Sequence, residues 1–311
     1  MVARLALALI VGVGLTAGGY TAAQRYEASV QAALTAEQMG RVHDRAVARS
    51  RDLEQVLRET AMYYGERDVN LMSFEPRLMA ISDHHPTFRV VTWLPVVQRA
   101  DAPRFLAEIR RAIPDFAFRE VNQQTGEIQG AGEALAYVPF LLLQPEHGNE
   151  MLRGVDLGNQ KPLAEAMQRS YKIDGVSASA PTDGLPQGDT SLVLLHYVQR
   201  PEGFVGGVVE VDDLLDHWLA DAPEGLVARL SDEQRGSVPL VEQEGFVAEQ
   251  AQRFEVVLGG QRLGLWLSTT PDHQPLRKVL ATAVLFAGVG VTLVLLALSL
   301  LGGGASARES R

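Results

Sequence analysis

One acid lies in an apolar run. Asp156 sits between Val155 and Leu157, with Leu152 just upstream. A carboxylate among apolar residues is costly unless something pairs with it. Asp156 therefore either meets a ligand or accepts backbone amides that hold a turn. Upstream, Val138, Phe140, Leu141, Leu142 and Leu143 follow Tyr137 in an almost unbroken apolar run, the pattern of a strand buried on both faces. The residues from Gln144 to Asn149 supply a turn. The stretch Tyr137–Gly158 thus reads as two core strands around a turn, with one polar group set among apolar walls such as Val155. Small-ligand pockets are built this way. Trp93, Tyr137 and Phe140 either line such a pocket or fill the core. Ser177 and Ser179 share one face of an extended segment, which points either inward or to an open sheet face.

Other chemistry is scarce. The sequence holds no GxSxG, HExxH, P-loop or EF-hand pattern. It has no cysteine, which excludes disulfides, thiolate metal sites and a cysteine nucleophile. Asp83-His84-His85 lacks a third metal ligand and reads as a solvated helix-ending turn. Asp213 and His217 stand one helical turn apart, where they read as a local ion pair. The expectation is no enzyme, no cofactor and no metal. A formal net charge of −10 argues against nucleic acid and against docking on anionic lipid.

Two apolar segments bracket the chain. Residues 279–301 carry no charge and no proline, enough to cross a bilayer core of about 30 Å as a helix. Residues 5–23 are also uncharged and read as a second transmembrane helix, with a cleaved signal peptide as the alternative. A long acidic segment between two spans is expected to be translocated whatever its charge. Residues 24–278 are then extracytoplasmic (periplasmic), the membrane is the inner (plasma) membrane, and 302–311 form a short cytoplasmic tail. Gly14 and Gly18, like Ala8 and Gly12, are small-xxx-small pairs that let membrane helices approach closely.

Residues 24–72 read as a long amphipathic stalk helix whose stripe either pairs with a second copy or packs on its own domain. Ser73 is a candidate N-cap for a helix over 74–82. A strand is expected over 88–97, a helix over 102–113, a strand over 116–121 and a loop over 122–132. A helix over 162–171, an extended run over 175–181 and a loop over 182–189 follow. Strands over 192–198 and 204–211 read as a hairpin, followed by a helix over 212–219. After a composition shift near 221, four short strands follow, two of them joined by Gly259-Gly260. The fold class is α+β. The divisions are 73–220 and 221–275, between the stalk and the second membrane helix.

Several of these residues together resemble a known family. Trp93-Leu94-Pro95-Val96-Val97, Phe105, Tyr137-Val138-Pro139, Pro145, Gly148-Asn149-Glu150, Gly154-Val155-Asp156-Leu157, Pro162 and Ala166 are similar, in order and spacing, to the CHASE domain. That is an extracytoplasmic sensory domain of bacterial and plant receptors. The resemblance covers about residues 74–220. It implies a stalk followed by two PAS-like subdomains with antiparallel sheets, the membrane-distal one binding the ligand. Two positions depart from the pattern. Val96 stands where the family commonly has arginine. Leu135 stands where plant cytokinin receptors place a ligand-binding aspartate, so an adenine-type ligand loses its charge-assisted anchor. The expected ligand-binding set is Trp93, Leu135, Tyr137, Phe140, Val155, Asp156, Ser177 and Ser179. Family members usually continue into a histidine kinase or a nucleotide cyclase. Here the expected partners are an unknown small molecule, the membrane, a second copy in a homodimer, and a separate kinase or cyclase. The alternatives are the sensor part of a longer kinase or cyclase, or a scaffold that binds a protein.

Overall fold

A computed structural model describes residues 2–65, 74–122, 125–183, 185, 190–270 and 279–305. Ser73, part of the 182–189 loop and the tail beyond residue 305 lie outside the described residues. The chain divides into two compact units, residues 41–270 and residues 1–40 with 271–311. The chain is α+β, with a long N-terminal helix, antiparallel sheets and two apolar helices.

The terminal unit pairs the start of α1 (Val2–Gly65) with α6 (Val279–Ala305). Both helices are long and apolar enough to cross a membrane. Their contact is built from glycine on one side and threonine on the other. A Cβ at Gly12 would lie 2.6 Å from Thr292 Oγ1, and one at Gly288 would meet Thr16. Each threonine hydroxyl donates to a carbonyl one turn back, 2.8 Å in both cases, so neither is left unbonded. Gly14 and Gly18 have open space beyond their Cα atoms. Just past this segment, the Glu27 carboxylate accepts from the Leu280 amide at 2.7 Å and so caps the start of α6.

In the unit 41–270, the rest of α1 buries Val42, Ala46, Leu53, Leu57, Ala61 and Tyr64. This three-to-four spacing is one helix face, and it is covered by the unit itself. His43 stacks on Phe254 at 5.0 Å, Arg49 donates to the carbonyls of His217 and Trp218, and Tyr64 stacks on Phe74 at 3.7 Å. The helix therefore lies along its own domain from Val42 to Tyr64.

After α2 (Glu75–His84) come β1 (Val90–Pro95), β2 (Val97–Gln98), α3 (Ala102–Ile109), β3 (Arg119–Val121), β4 (Ile128–Gly130), β5 (Ala136–Tyr137) and β6 (Leu142–Gln144). Then follow α4 (Lys161–Ile173), β7 (Ser177–Ala178), β8 (Ser191–Val198), β9 (Gly203–Glu210) and α5 (Val211–Leu219). The large sheet has the order β6-β1-β9-β8-β7 and is antiparallel throughout. Its strands are buried on both faces, which explains their continuous apolar runs. Val90, Leu94, Val193, Leu195, Phe204 and Val208 join the core with α4 residues Leu163, Ala166 and Met167. The opposite face meets Phe74 and Phe88. Gly203 and Gly207 are needed there, because a side chain at either would run into Trp93 or Phe88.

The small sheet contains β10 (Leu226–Asp232), β11 (Val238–Glu242), β12 (Gln252–Leu258) and β13 (Gln261–Thr269), in the order β11-β10-β13-β12. Gly259 and Gly260 both have positive φ, +56° and +78°, as a tight hairpin turn requires. This turn is also a junction. The Ala178 amide of β7 donates to Gly259 O at 2.8 Å, and the Gly259 amide donates to Glu54 of α1 at 2.7 Å.

Two expectations need correction. The 122–132 loop contains β4, paired with β3 from Val121↔Ile128 to Arg119↔Gly130. The Tyr137–Gly158 stretch is not two strands around a turn. Its first half splits into β5, which pairs with β2, and β6, which pairs with β1. Pro139 has no amide to extend a ladder. The second half is a one-turn helix (Glu150–Leu152), a turn at Gly154 with φ +80°, and two single bridges, Arg119↔Val155 and Pro139↔Asp156.

Candidate functional site

The site is built on the α4-covered face of the large sheet. The segment from Val138 to Leu157 closes over that face through Phe140 N→Val155 O (3.0 Å), Leu157 N→Val138 O (3.1 Å) and Gly154 N→Phe140 O (2.8 Å). β3 lies alongside, held by Arg119 N→Gly154 O and Asp156 N→Arg119 O, both 2.8 Å.

Asp156 is the hub of this arrangement. Its Oδ1 accepts from the Val138 amide at 2.7 Å and from the Gly158 amide at 2.9 Å. One carboxylate oxygen thus ties the two halves of the stretch together, across 18 residues of sequence. Burial pushes the carboxyl above its ordinary range; the two amides pull against that, and nearby Glu120 adds to it. Glu120 is held below its ordinary range by the Gln129 side chain first, then by the Gly132 amide and Asn159.

The other expected residues fall in different places. Phe140 and Val155 are fully buried in the same core as Val138 and Leu157. Tyr137 stacks on Phe118 at 4.4 Å, and its hydroxyl donates to Gly132 O at 3.0 Å. Ser177 accepts from Arg169 Nε of α4 at 3.1 Å, and Ser179 Oγ accepts from the Val193 amide at 3.0 Å. Trp93 projects from the opposite face of the sheet, stacked on Phe74 at 4.0 Å. Leu135 is 88% exposed. The structure therefore gathers Phe140, Val155 and Asp156, with the two serines at the far edge of the same face. It separates Trp93 and Leu135 from them.

At the mouth of this core is a hollow of about 330 Å³. Its floor is Val121 and Leu185, both members of the core. Its rim is polar, with Asn122 from the β3–β4 hairpin and Thr182 and Asp183, and the buried Gln160 at the start of α4 adds a polar group below. Asp183 is oriented by Thr190 Oγ1 at 2.6 Å. An apolar floor with a few fixed polar groups suits a small organic molecule. Sequence reasoning missed these polar residues. The available signals were Pro162, which marks the helix start beside Gln160, and the hairpin composition around Gly126.

The fold is a set of antiparallel sheets packed on a long helix. The CHASE domain family model matches residues 69–241, more than half of the chain, and the chain belongs to that family. It carries an extracytoplasmic small-molecule sensor domain, flanked by two helices long and apolar enough to cross a membrane. No curated protein sequence matches it.

Similar solved structures are chemoreceptor sensory domains. The ligand-binding domain of the amino acid chemoreceptor PctB from Pseudomonas aeruginosa PAO1, in complex with L-Arg, is 9% identical with a TM-score of 0.44, covering 76% of this chain and 95% of that one. That of CtaA from Pseudomonas fluorescens, with L-alanine, is 12% identical with a TM-score of 0.40, covering 78% and 98%. That of Tlp3 from Campylobacter jejuni, with isoleucine, is 8% identical with a TM-score of 0.41, covering 81% and 96%. Likeness at this level does not carry a ligand from those proteins to this one.

Proposed function

We propose that this chain is an inner-membrane receptor without enzymatic activity of its own. It takes up a small molecule on the α4-covered face of the large sheet and passes the event through its membrane helices to an effector. The two sheets are read as two PAS-like subdomains, the large one distal to the membrane. The ligand enters at the hollow lined by Asn122, Gln160 and Asp183. Tyr137, Phe140, Val155, Asp156, Ser177 and Ser179 form or brace the surrounding walls. The observation that carries this reading is the continuity of the hollow's floor, Val121 and Leu185, with the core that Asp156 ties together.

Ligand binding moves a conformational equilibrium only through different affinity for two states. A homodimer supplies such states, because paired helices can slide or rotate as rigid bodies. Two features support it. Gly14 and Gly18 face open space, and Tyr26, Val30 and Leu34 continue as exposed apolar residues at four-residue spacing.

Thermal-shift screening of the full chain in nanodiscs against a metabolite library tests the binding. A true ligand at 100 times its Kd adds about 2.7 kcal/mol. Pro162→Trp, which fills the mouth of the hollow, removes that gain. A ligand whose gain survives this substitution binds elsewhere. Single cysteines along 22–36 test the dimer: cross-linking with a three-to-four-residue period is expected, and its absence in native membranes overturns the dimer.

A further inference from the structure

We propose that the molecule has a second ligand site, a cleft beside β6 built for a small zwitterion with a carboxylate at one end and an ammonium at the other. The cleft measures about 420 Å³, larger than the hollow at the mouth of the core. Its floor is apolar and buried: Leu141, Leu142, Leu143 and Phe116. None of its lining residues is shared with the first hollow.

Two arginines, Arg119 and Arg153, line it. The backbone bond Arg119 N→Gly154 O, 2.8 Å, sets Arg119 beside the residue that follows Arg153. The half-buried Arg119 side chain has no acceptor or ion-pair partner among the described residues. Arg153 donates from Nη2 to Glu146 at 2.7 Å, but its buried Nε has no acceptor among them. A buried N–H of a cation left without an acceptor is costly, and an incoming carboxylate would satisfy it. Arginine's fork geometry favours that partner.

The depth order of the charges specifies the rest of the ligand. The Arg153 side chain is 23% exposed, against 52% for Glu146 and 54% for Glu150. Glu75 and Asp115 also line the cleft. Arg153 therefore lies deeper than Glu146 and Glu150, Asp115 is exposed with them at the rim, and Glu75 is half-buried like Arg119. A simple anion would be repelled by the three exposed acids Asp115, Glu146 and Glu150, and a simple cation by the two arginines. A zwitterion entering carboxylate first complements both layers. Free amino acids, linear amino carboxylates and the ends of very short peptides share this chemistry.

Isothermal titration of the full chain in nanodiscs tests the proposal. The probes are the proteinogenic amino acids, the linear series from 3-aminopropanoate to 6-aminohexanoate, and a few dipeptides, which separate free amino acid from peptide sources. Each binder is compared with its carboxylate-only and amine-only counterparts. At least one zwitterion is expected to bind, with both counterparts weaker by about tenfold or more, the loss of one charge-assisted contact. Arg119→Gln is expected to weaken binding by a similar factor, while Pro162→Trp at the other hollow leaves it unchanged. If Arg119→Gln does not fold, Arg119→Lys keeps the charge but loses the fork, and a severalfold loss is expected. The proposal is overturned if no zwitterion binds at millimolar concentration, if singly charged counterparts bind equally well, or if the folded Arg119 variant binds as before. Binding lost in Pro162→Trp but kept in Arg119→Gln assigns the zwitterion to the first hollow and also overturns it.

Discussion

The small sheet passes from β12 to β13 through two glycines, whereas the large sheet sends its chain on a long excursion between β1 and β7 that rejoins the sheet only at β6. That excursion contains α3, the β3–β4 hairpin, the Asp156 turn and α4. Most of the residues lining both hollows described above belong to it. The small sheet instead locks its polar groups on one another. Trp266 Nε1 donates to Ser231 Oγ at 3.0 Å, Ser231 donates to Glu233 at 2.8 Å, and Arg253 pairs with Glu233. Asp232, fully buried, accepts from the Gln234 amide at 3.0 Å and from Gln261 at 2.9 Å. The pairing is antiparallel in both sheets. Room for a ligand comes from the connections, while the strands supply a rigid wall.

The sharpest test of that contrast is Phe140→Ala, which opens the core under the excursion. A loss of about 3–5 kcal/mol is expected. Urea unfolding followed separately by Trp93 and Trp266, each kept as the sole tryptophan, should show both sheets losing stability together; a shift confined to Trp93 would make them independent units. Next comes Gly259→Ala. It places a side chain against Ala178 at a positive φ and is expected to cost about 1–3 kcal/mol by thermal unfolding. Gly260→Asn, also at positive φ but facing open space, should cost less than about 1 kcal/mol. Equal losses at the two positions would mean that the junction is not the cause.

Ser231→Ala should cost about 1–3 kcal/mol, since it leaves the Trp266 N–H without its acceptor. A neutral result would show that solvent reaches that network.

The smallest effects concern pH; all four groups belong to the large-sheet part, and the histidines differ in sign from Asp156. Burial lowers the pKa values of His85, His196 and His217; the neighbours His84 for His85 and Arg49 for His217 act the same way, whereas the Tyr197 carbonyl opposes it at His196. Their contribution is complete above the unfolded value of about 6.5 and is lost as pH falls below it. His196→Gln should flatten part of that acid limb. Asp156 is raised, so its contribution is complete below the unfolded value of about 4 and is lost as pH rises through the folded one. Asp156→Asn keeps an oxygen for Val138 and Gly158 and should remove this falling limb. Melting temperatures across pH 4–8 check both.

Much of this was legible because local chemistry decided it. The two apolar helices follow from length and lack of charge, the β8–β9 pair from two apolar runs around a turn, and β12–β13 from the glycine pair. Asp156 drew attention because an acid in an apolar run needs a partner, and its partners turned out to be two amides. Other features depend on contacts that no local pattern encodes. The stripe from Val42 to Tyr64 would look the same against a second copy as against its own domain. β1 is apolar on both faces, so its alternation could not tell which side Trp93 takes. The run from Val138 to Leu143 is buried throughout, which does not distinguish a strand from a buried crossing. Arg119 and Arg153 stand 34 positions apart and line one cleft because β3 bonds to Gly154.

The Gly259 turn imposes a rule on anyone building hybrid receptors. Its carbonyl holds β7, its amide holds Glu54, and the neighbouring Ala178 carbonyl accepts from Arg169 of α4. A splice between the two sheets, however well placed in a loop, would set a foreign hairpin against a surface shaped for a residue without a side chain. The transferable cassette is therefore residues 41–270 as one piece, with fusion points in α1 before Arg41 and in the segment after Thr270. Chimeras cut there should keep their sensing module whole, and those cut near residue 221 should express as poorly as a protein with a broken hinge pin.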